Sequence, residues 1–149
     1  MNHVTETKKL NNKGFSLVEL IIVIAIMAVL IGVLAPQYLK YVEKSRKAAD
    51  LDNFQTVISA VQVYYTDPTH TLPAPGNYDL KFSDGKCTGT VDANIVAACK
   101  DSGVDVENIT MKSTDGKGAT LRFTVSTGGS EFTISNENLA KELAINKFS

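Results

Sequence analysis

Glu19 is the only side chain between Phe15 and Ala35 that can ionise, in a run of 21 residues whose one other polar side chain is Ser16. A carboxylate beside so much hydrocarbon needs compensation, because a charge at the centre of a spanning helix costs ~2.5–3.5 kcal/mol on insertion scales and somewhat less near an end. One source is local: in the first turn of a helix the carboxylate favours the positive end of the dipole. The other is chemical. Hydrolysis of the Gly14–Phe15 peptide would leave Phe15 with a cationic amine one helical turn before Glu19. Amine and carboxylate could then neutralise each other, within one chain or between neighbours displaced along their axes, and a pairing between chains would set a register.

Few other residues offer chemistry. His3 precedes the apolar run, which leaves His70 between Thr69 and Thr71 as a loop residue rather than a base. No serine or cysteine lies in a nucleophile motif, so the chain is read as a non-enzyme without cofactor. Two cysteines and one distant histidine make no zinc set, and Asp115-Gly116-Lys117-Gly118 has too few carboxylates for a calcium loop; no metal site is expected. Asn108-Ile109-Thr110 fits the glycosylation sequon but is assigned no role. With 15 basic and 16 acidic residues among 149, the chain lacks the cationic excess of a nucleic-acid binder.

The elements that must position Glu19 follow from periodicity. An apolar helix of ~20 residues rises ~30 Å, the thickness of a bilayer core, so Phe15 to Ala35 reads as a membrane span. Lys8, Lys9 and Lys13 precede it as in a secretory signal. The run exceeds the ~7–15 residues of a signal core, however, and ends without a small-x-small cleavage site, so a retained anchor is expected. Lys40, Lys44, Arg46 and Lys47 on the far flank balance the three lysines before it, and the positive-inside rule leaves the orientation open. The charged band from Lys40 to Asp52 has two readings, a solvated helix face or a surface that meets charges on adjacent rods.

Beyond Pro36 the helical pattern continues, and Leu51, Phe54, Ile58, Val61 and Tyr65 trace an apolar stripe along one face. Asp67-Pro68 ends it; a helix from Ser16 to Thr66 would be roughly 75 Å long. Tyr78–Phe82, Ile109–Lys112, Thr120–Ser126 and Glu131–Ser135 read as strands, with turns at 115–118 and 127–130, giving an antiparallel meander whose one face covers the stripe. Short helices are expected over Asp92–Lys100 and Asn136–Ile145. The fold class is therefore α+β: a long N-terminal helix packed against a small antiparallel sheet.

The Gly14-Phe15-Ser16-Leu17-Val18-Glu19 stretch, with its short basic leader and an apolar run to Pro36, resembles the class III signal of type IV pilins and related pseudopilins. The resemblance is strong over Lys13–Tyr41; beyond that only the architecture agrees. It implies a pilin fold with four parts: a leader (1–14), a membrane-spanning and filament-core helix (15–36), an amphipathic extension (37–66) and a globular sheet head (67–149). Gly14 would be the last leader residue read by a prepilin peptidase, and Phe15 the N-methylated new terminus. Glu19 would align each incoming subunit against the amine of one already assembled. Pro36, Tyr38 and Tyr41 match positions where many pilins have the same residues. Ala28 stands where many have glycine, leaving Gly32 and Pro36 as a weak point in the helix.

The resemblance also orients the chain, leader inside and head outside, as a single-pass protein of the inner or cytoplasmic membrane that later joins a cell-surface pilus. Cys87 and Cys99 would then face an oxidising exterior, where a disulfide closing their short loop is worth ~3 kcal/mol; the bond is expected, with free thiols the alternative in a reducing setting. The implied partners are further copies in a helical filament, the peptidase, an assembly platform with its motor, and lipid before assembly. The implied function is the structural subunit, as major pilin, of a fibre used for adhesion, aggregation or surface motility. The alternatives are a pseudopilin of a secretion or DNA-uptake machine and a monomeric membrane-anchored binding module.

Overall fold

The computed structural model describes residues 14–88, 92–134, 136, 139, 141 and 147–148. The first element, α1, is a single 50-residue helix, Leu17–Thr66. Lysine and alanine favour helix between Lys40 and Ala60, and from Leu20 to Ala35 the composition is unbroken apolar or glycine. Pro36 lies inside α1. Proline lacks the N–H that would reach the carbonyl of Gly32, so one rung of the helix ladder is missing there. Two compact units meet along the chain at Leu39 and Lys40. The charged turns from Lys40 onward thus belong with the head.

Helix α1 stops where the sequence stops it. The Thr66 hydroxyl donates to the Val63 carbonyl at 2.7 Å, and the Asp67 carboxylate accepts from the Thr69 amide (2.8 Å) and hydroxyl (2.7 Å). The turn brings the His70 ring onto Tyr64, with centroids 3.8 Å apart. His70 is a loop residue stacked on the helix end, as expected.

The sheet has three main antiparallel strands, β1 (Gly76–Ser83), β3 (Thr120–Ser126) and β4 (Gly129–Ile134), flanked by the two-residue strands β2 (Lys86–Cys87) and β5 (Lys147–Phe148). The order is β2-β1-β3-β4-β5. Alternation sets the faces: Leu80 pairs with Leu121 and Tyr78 with Phe123 on the inner side, whereas Asp79 pairs with Arg122 on the outer side. The Arg122 guanidinium grips Asp79 with two bonds of 2.7 and 2.8 Å, which holds that carboxyl below the usual aspartate range. Asp84 and Gly85, both at positive φ, make the tight turn between β1 and β2.

The core lies between the inner sheet face and the apolar stripe of α1. Phe54, Val57, Ile58 and Val61 are buried against Leu80, Phe82, Leu121, Phe123 and Val125, with Leu51 and Tyr65 half-buried at the margin. Phe54 meets Phe82 edge-on at 5.7 Å between centroids. A second helix, α2 (Ala93–Asp101), capped by the Asp92 side chain on the Asn94 amide, adds Ile95, Ala98 and Cys99. Of the expected helix from Asn136 to Ile145, only Asn136, Leu139 and Lys141 are described, with Leu139 buried in the core; the rest lies outside the described residues.

One expectation is corrected. Ile109–Lys112 is not a strand: it makes one bridge, Thr110 to Lys86, and β1 takes the place beside β3. The physical reason is Asp50, fully buried on α1, which diverts the backbone that would have formed a ladder. Its carboxylate accepts the amides of Lys112 and Ser113, each at 2.8 Å, and the Ser113 hydroxyl. Cys87 and Cys99, expected as a disulfide, are unbonded in this structure. Cys99 is carried inward by the apolar face of α2 and packs as a core residue, and burial pushes its thiol up to about 11. Cys87, half-buried at the end of β2, is raised by burial as well.

The charged band of α1 is likewise resolved in part. Glu43, Lys47 and Asp50, spaced to share a face, all turn toward residues 112–115: Glu43 accepts the Thr114 amide and Lys47 meets Asp115 at 3.6 Å. Gly116 closes this loop because a Cβ there would stand 2.1 Å from Asp50 Oδ2. Arg46 lies 3.8 Å from Glu43 on the exposed side.

Replacing Asp50 with alanine leaves two amides and a hydroxyl buried without an acceptor, and is expected to destabilise the head by about 3 kcal/mol in urea unfolding. Asp79, held low by Arg122, contributes stability above the ordinary aspartate pKa that is lost as pH falls through its depressed folded value; the thermal midpoint of Asp79→Asn should therefore change less than wild type on acidification below about pH 4. Protein unfolded without reductant should take up two alkyl groups by mass, and native protein should alkylate at Cys87 before Cys99.

Candidate functional site

The Gly14–Phe15 peptide lies ahead of the first helical turn, in non-helical chain. Phe15 is 91% exposed. Gly14 has no heavy atom within 4 Å of where a Cβ would stand, and its φ lies outside the left-handed range. Nothing in the described fold calls for glycine at this position.

Three residues on, the chain makes its own use of Glu19. Glu19 Oε2 accepts the Ser16 amide at 2.9 Å, and Ser16 Oγ accepts the Val18 amide at 3.3 Å. The Leu20 amide donates to the Ser16 carbonyl at 3.2 Å as the first full helical bond. This is a capping box, Ser-x-x-Glu, in which serine caps the helix and glutamate reaches back to the serine backbone. The signal stood in the sequence as Ser16 and Glu19 three residues apart, and the reading of Glu19 through charge alone passed over it. The cap lies entirely on the C-terminal side of the Gly14–Phe15 bond. Hydrolysis of that bond would leave both hydrogen bonds standing and place a new amine one residue before the cap.

From Leu17 to Leu39 every side chain of α1 is exposed, and from Leu20 to Ala35 all are apolar or glycine. It is the one helix among the described residues long and apolar enough to cross a membrane. Helices apolar on all faces are stable only in lipid or buried among other apolar surfaces. The structure thus brings Gly14, Phe15 and Glu19 together at the N-terminal end of this helix, whereas Pro36 stands some five turns along it and Cys87 and Cys99 sit in the head. Among the described residues no group of three or more histidine, cysteine, aspartate or glutamate side chains could hold a metal ion.

What the sequence reading missed is Asp50. The available signal was its place on the inward stripe, four residues before Phe54 and eight before Ile58, where an unpaired carboxylate would not be tolerated.

No solved structure matches the chain. Residues 9–35, which contain the exposed peptide, the capping glutamate and the apolar half of α1, match the family model of the prokaryotic N-terminal methylation motif: the chain carries the class III signal peptide of type IV pilins and pseudopilins.

Proposed function

We propose that the protein is the major structural subunit of a type IV pilus, made as a membrane-anchored precursor and assembled after cleavage between Gly14 and Phe15. The observation that carries this reading is the position of Glu19: one carboxylate, at the N-terminal end of an uncovered apolar helix inside the matched methylation motif, four residues after the residue that cleavage would make the new terminus.

Cleavage adds water across the Gly14–Phe15 bond, leaving a carboxylate on the leader and an ammonium on Phe15. Methylation of that nitrogen replaces hydrogens and keeps the positive charge. The exposed, sterically undemanding Gly14 supports recognition by an outside enzyme, a prepilin peptidase, since the fold itself has no need of glycine there. Glu19 Oε2 is engaged by Ser16, and its other oxygen makes no hydrogen bond among the described residues. An incoming subunit's amine could pair there without breaking the cap.

Removing the apolar half of α1 from lipid exposes it to water unless other copies cover it. Each copy that does so exposes its own helix to the next, so the contact is head-to-tail and does not close; the product is a helical fibre. In this scheme the heads form the outside of the fibre, Gly32 and Pro36 supply a soft point in the packed helices, and the platform and motor supply the work. The fibre would serve adhesion, aggregation or surface motility. The same anchor would serve a pseudopilin in a secretion or DNA-uptake machine, and loss of secretion or transformation without loss of long fibres would mark that role.

Mass analysis of sheared surface material should find N-methyl-Phe15 at the terminus of the mature chain. Glu19→Gln separates the two uses of the carboxylate, because the amide oxygen can still accept the Ser16 N–H while the charge is gone. Fibre yield should fall at least tenfold in Glu19→Gln and equally in Glu19→Ala. Normal fibres from Glu19→Gln would reduce the residue to a helix cap.

A further inference from the structure

The translocated flank of a membrane span is ordinarily poor in lysine and arginine. Here Lys40, Lys44, Arg46 and Lys47 follow the apolar run within 12 residues of Ala35, on the side that carries the head. The fold accounts for two of them, Arg46 with Glu43 at 3.8 Å and Lys47 with Asp115 at 3.6 Å. Lys40 and Lys44 are exposed and have no anionic partner among the described residues. Four residues apart on one helical face, they repel each other and together call for an extended anionic surface. Tyr38 and Tyr41, 67% and 73% exposed, stand beside them.

We infer that Lys40 and Lys44, with Tyr38 and Tyr41, form a headgroup-binding collar that holds the unassembled protein against the phosphates of anionic phospholipid in the leaflet on the head side. The inference rests on the membrane-anchored precursor proposed above. At ~1.5 Å per residue the two ammonium-bearing positions come ~6 and ~12 Å after Pro36, and a headgroup layer adds ~5–7 Å to each side of a hydrocarbon core. Lysine stems four carbons long reach back toward that layer while tyrosine rings settle at its inner edge. The bidding of charge is specific to these two lysines, since Arg46 and Lys47 are already answered within the chain. Assembly into a fibre would have to break the collar, so lipid composition would bear on how readily a subunit leaves the membrane.

The test uses the full uncleaved chain in vesicles of phosphatidylcholine with roughly one-third phosphatidylglycerol. Flotation first reports whether the chain is in the bilayer. Native mass spectrometry after mild detergent extraction then counts the lipids retained. Wild type should retain phosphatidylglycerol over phosphatidylcholine by about tenfold, a preference that shrinks when ~0.5 M salt is present before extraction. Lys40→Gln/Lys44→Gln should float equally well and lose the preference, while Arg46→Gln keeps it. A floating wild type with no lipid preference overturns the collar and leaves the anchor standing. So does a preference unchanged in the double variant, or carbodiimide cross-links from Lys40 and Lys44 to acids of a second copy that form equally in pure phosphatidylcholine. A chain that fails to float overturns both the anchor and the collar.

Discussion

A helix that is apolar on every side cannot be satisfied by the chain that carries it. In α1 the first half shows this condition without relief: from Leu17 to Leu39 no side chain is buried. The 15 exposed leucine, isoleucine, valine and methionine side chains of this stretch, at about 1.5–3 kcal/mol each for full burial, exceed the roughly 5–15 kcal/mol by which a domain is stable. Whatever surrounds this segment, lipid or other copies, therefore dominates the energetics of the molecule. The head cannot compensate for a wrong environment there, and the chemistry proposed for Gly14 and Glu19 depends on the environment the helix must have.

Two carboxylates on the same helix answer different demands. Asp50 is buried and fully engaged by backbone amides and a hydroxyl, so it fixes the loop of residues 112–116 and with it the close approach of Gly116. Its contribution is to specify one path for the backbone, and the price in desolvation is met by hydrogen bonds to an ionised acceptor. Glu19 is exposed and, among the described residues, engaged through one oxygen. A saturated carboxylate builds a fold; a half-engaged one at an apolar boundary still has capacity for a cation.

The sequence was most legible where a single period ran long. Fifty residues of helix, the stop at Asp67-Pro68, the exact pairing faces of Thr120–Ser126 and the inward set Phe54, Ile58 and Val61 all follow from spacing that no tertiary contact contradicts. The processing stretch was legible because glycine, phenylalanine and glutamate at fixed offsets before an apolar run form a local pattern, matched over residues 9–35. Reading failed where a side chain distant in sequence captured a backbone. Ile109–Lys112 alternates like a strand, but the amides of Lys112 and of Ser113 just after it go to Asp50, 62 and 63 residues earlier, and local periodicity carries no trace of that. The place of Cys99 was hidden for a related reason: compartment and loop length say nothing of packing, whereas the amphipathic face of α2 carries Cys99 into the core.

The helix cap built by Ser16 and Glu19 lies wholly downstream of the Gly14–Phe15 bond, where we propose that the chain is cut. Maturation by that cut would ask for no rebuilding of the cap: its two hydrogen bonds already stand, and the cut would add a positive charge just ahead of them. A cell holding such a chain could stockpile finished parts, with the timing of construction set by an enzyme's access to one exposed peptide rather than by how fast a protein folds.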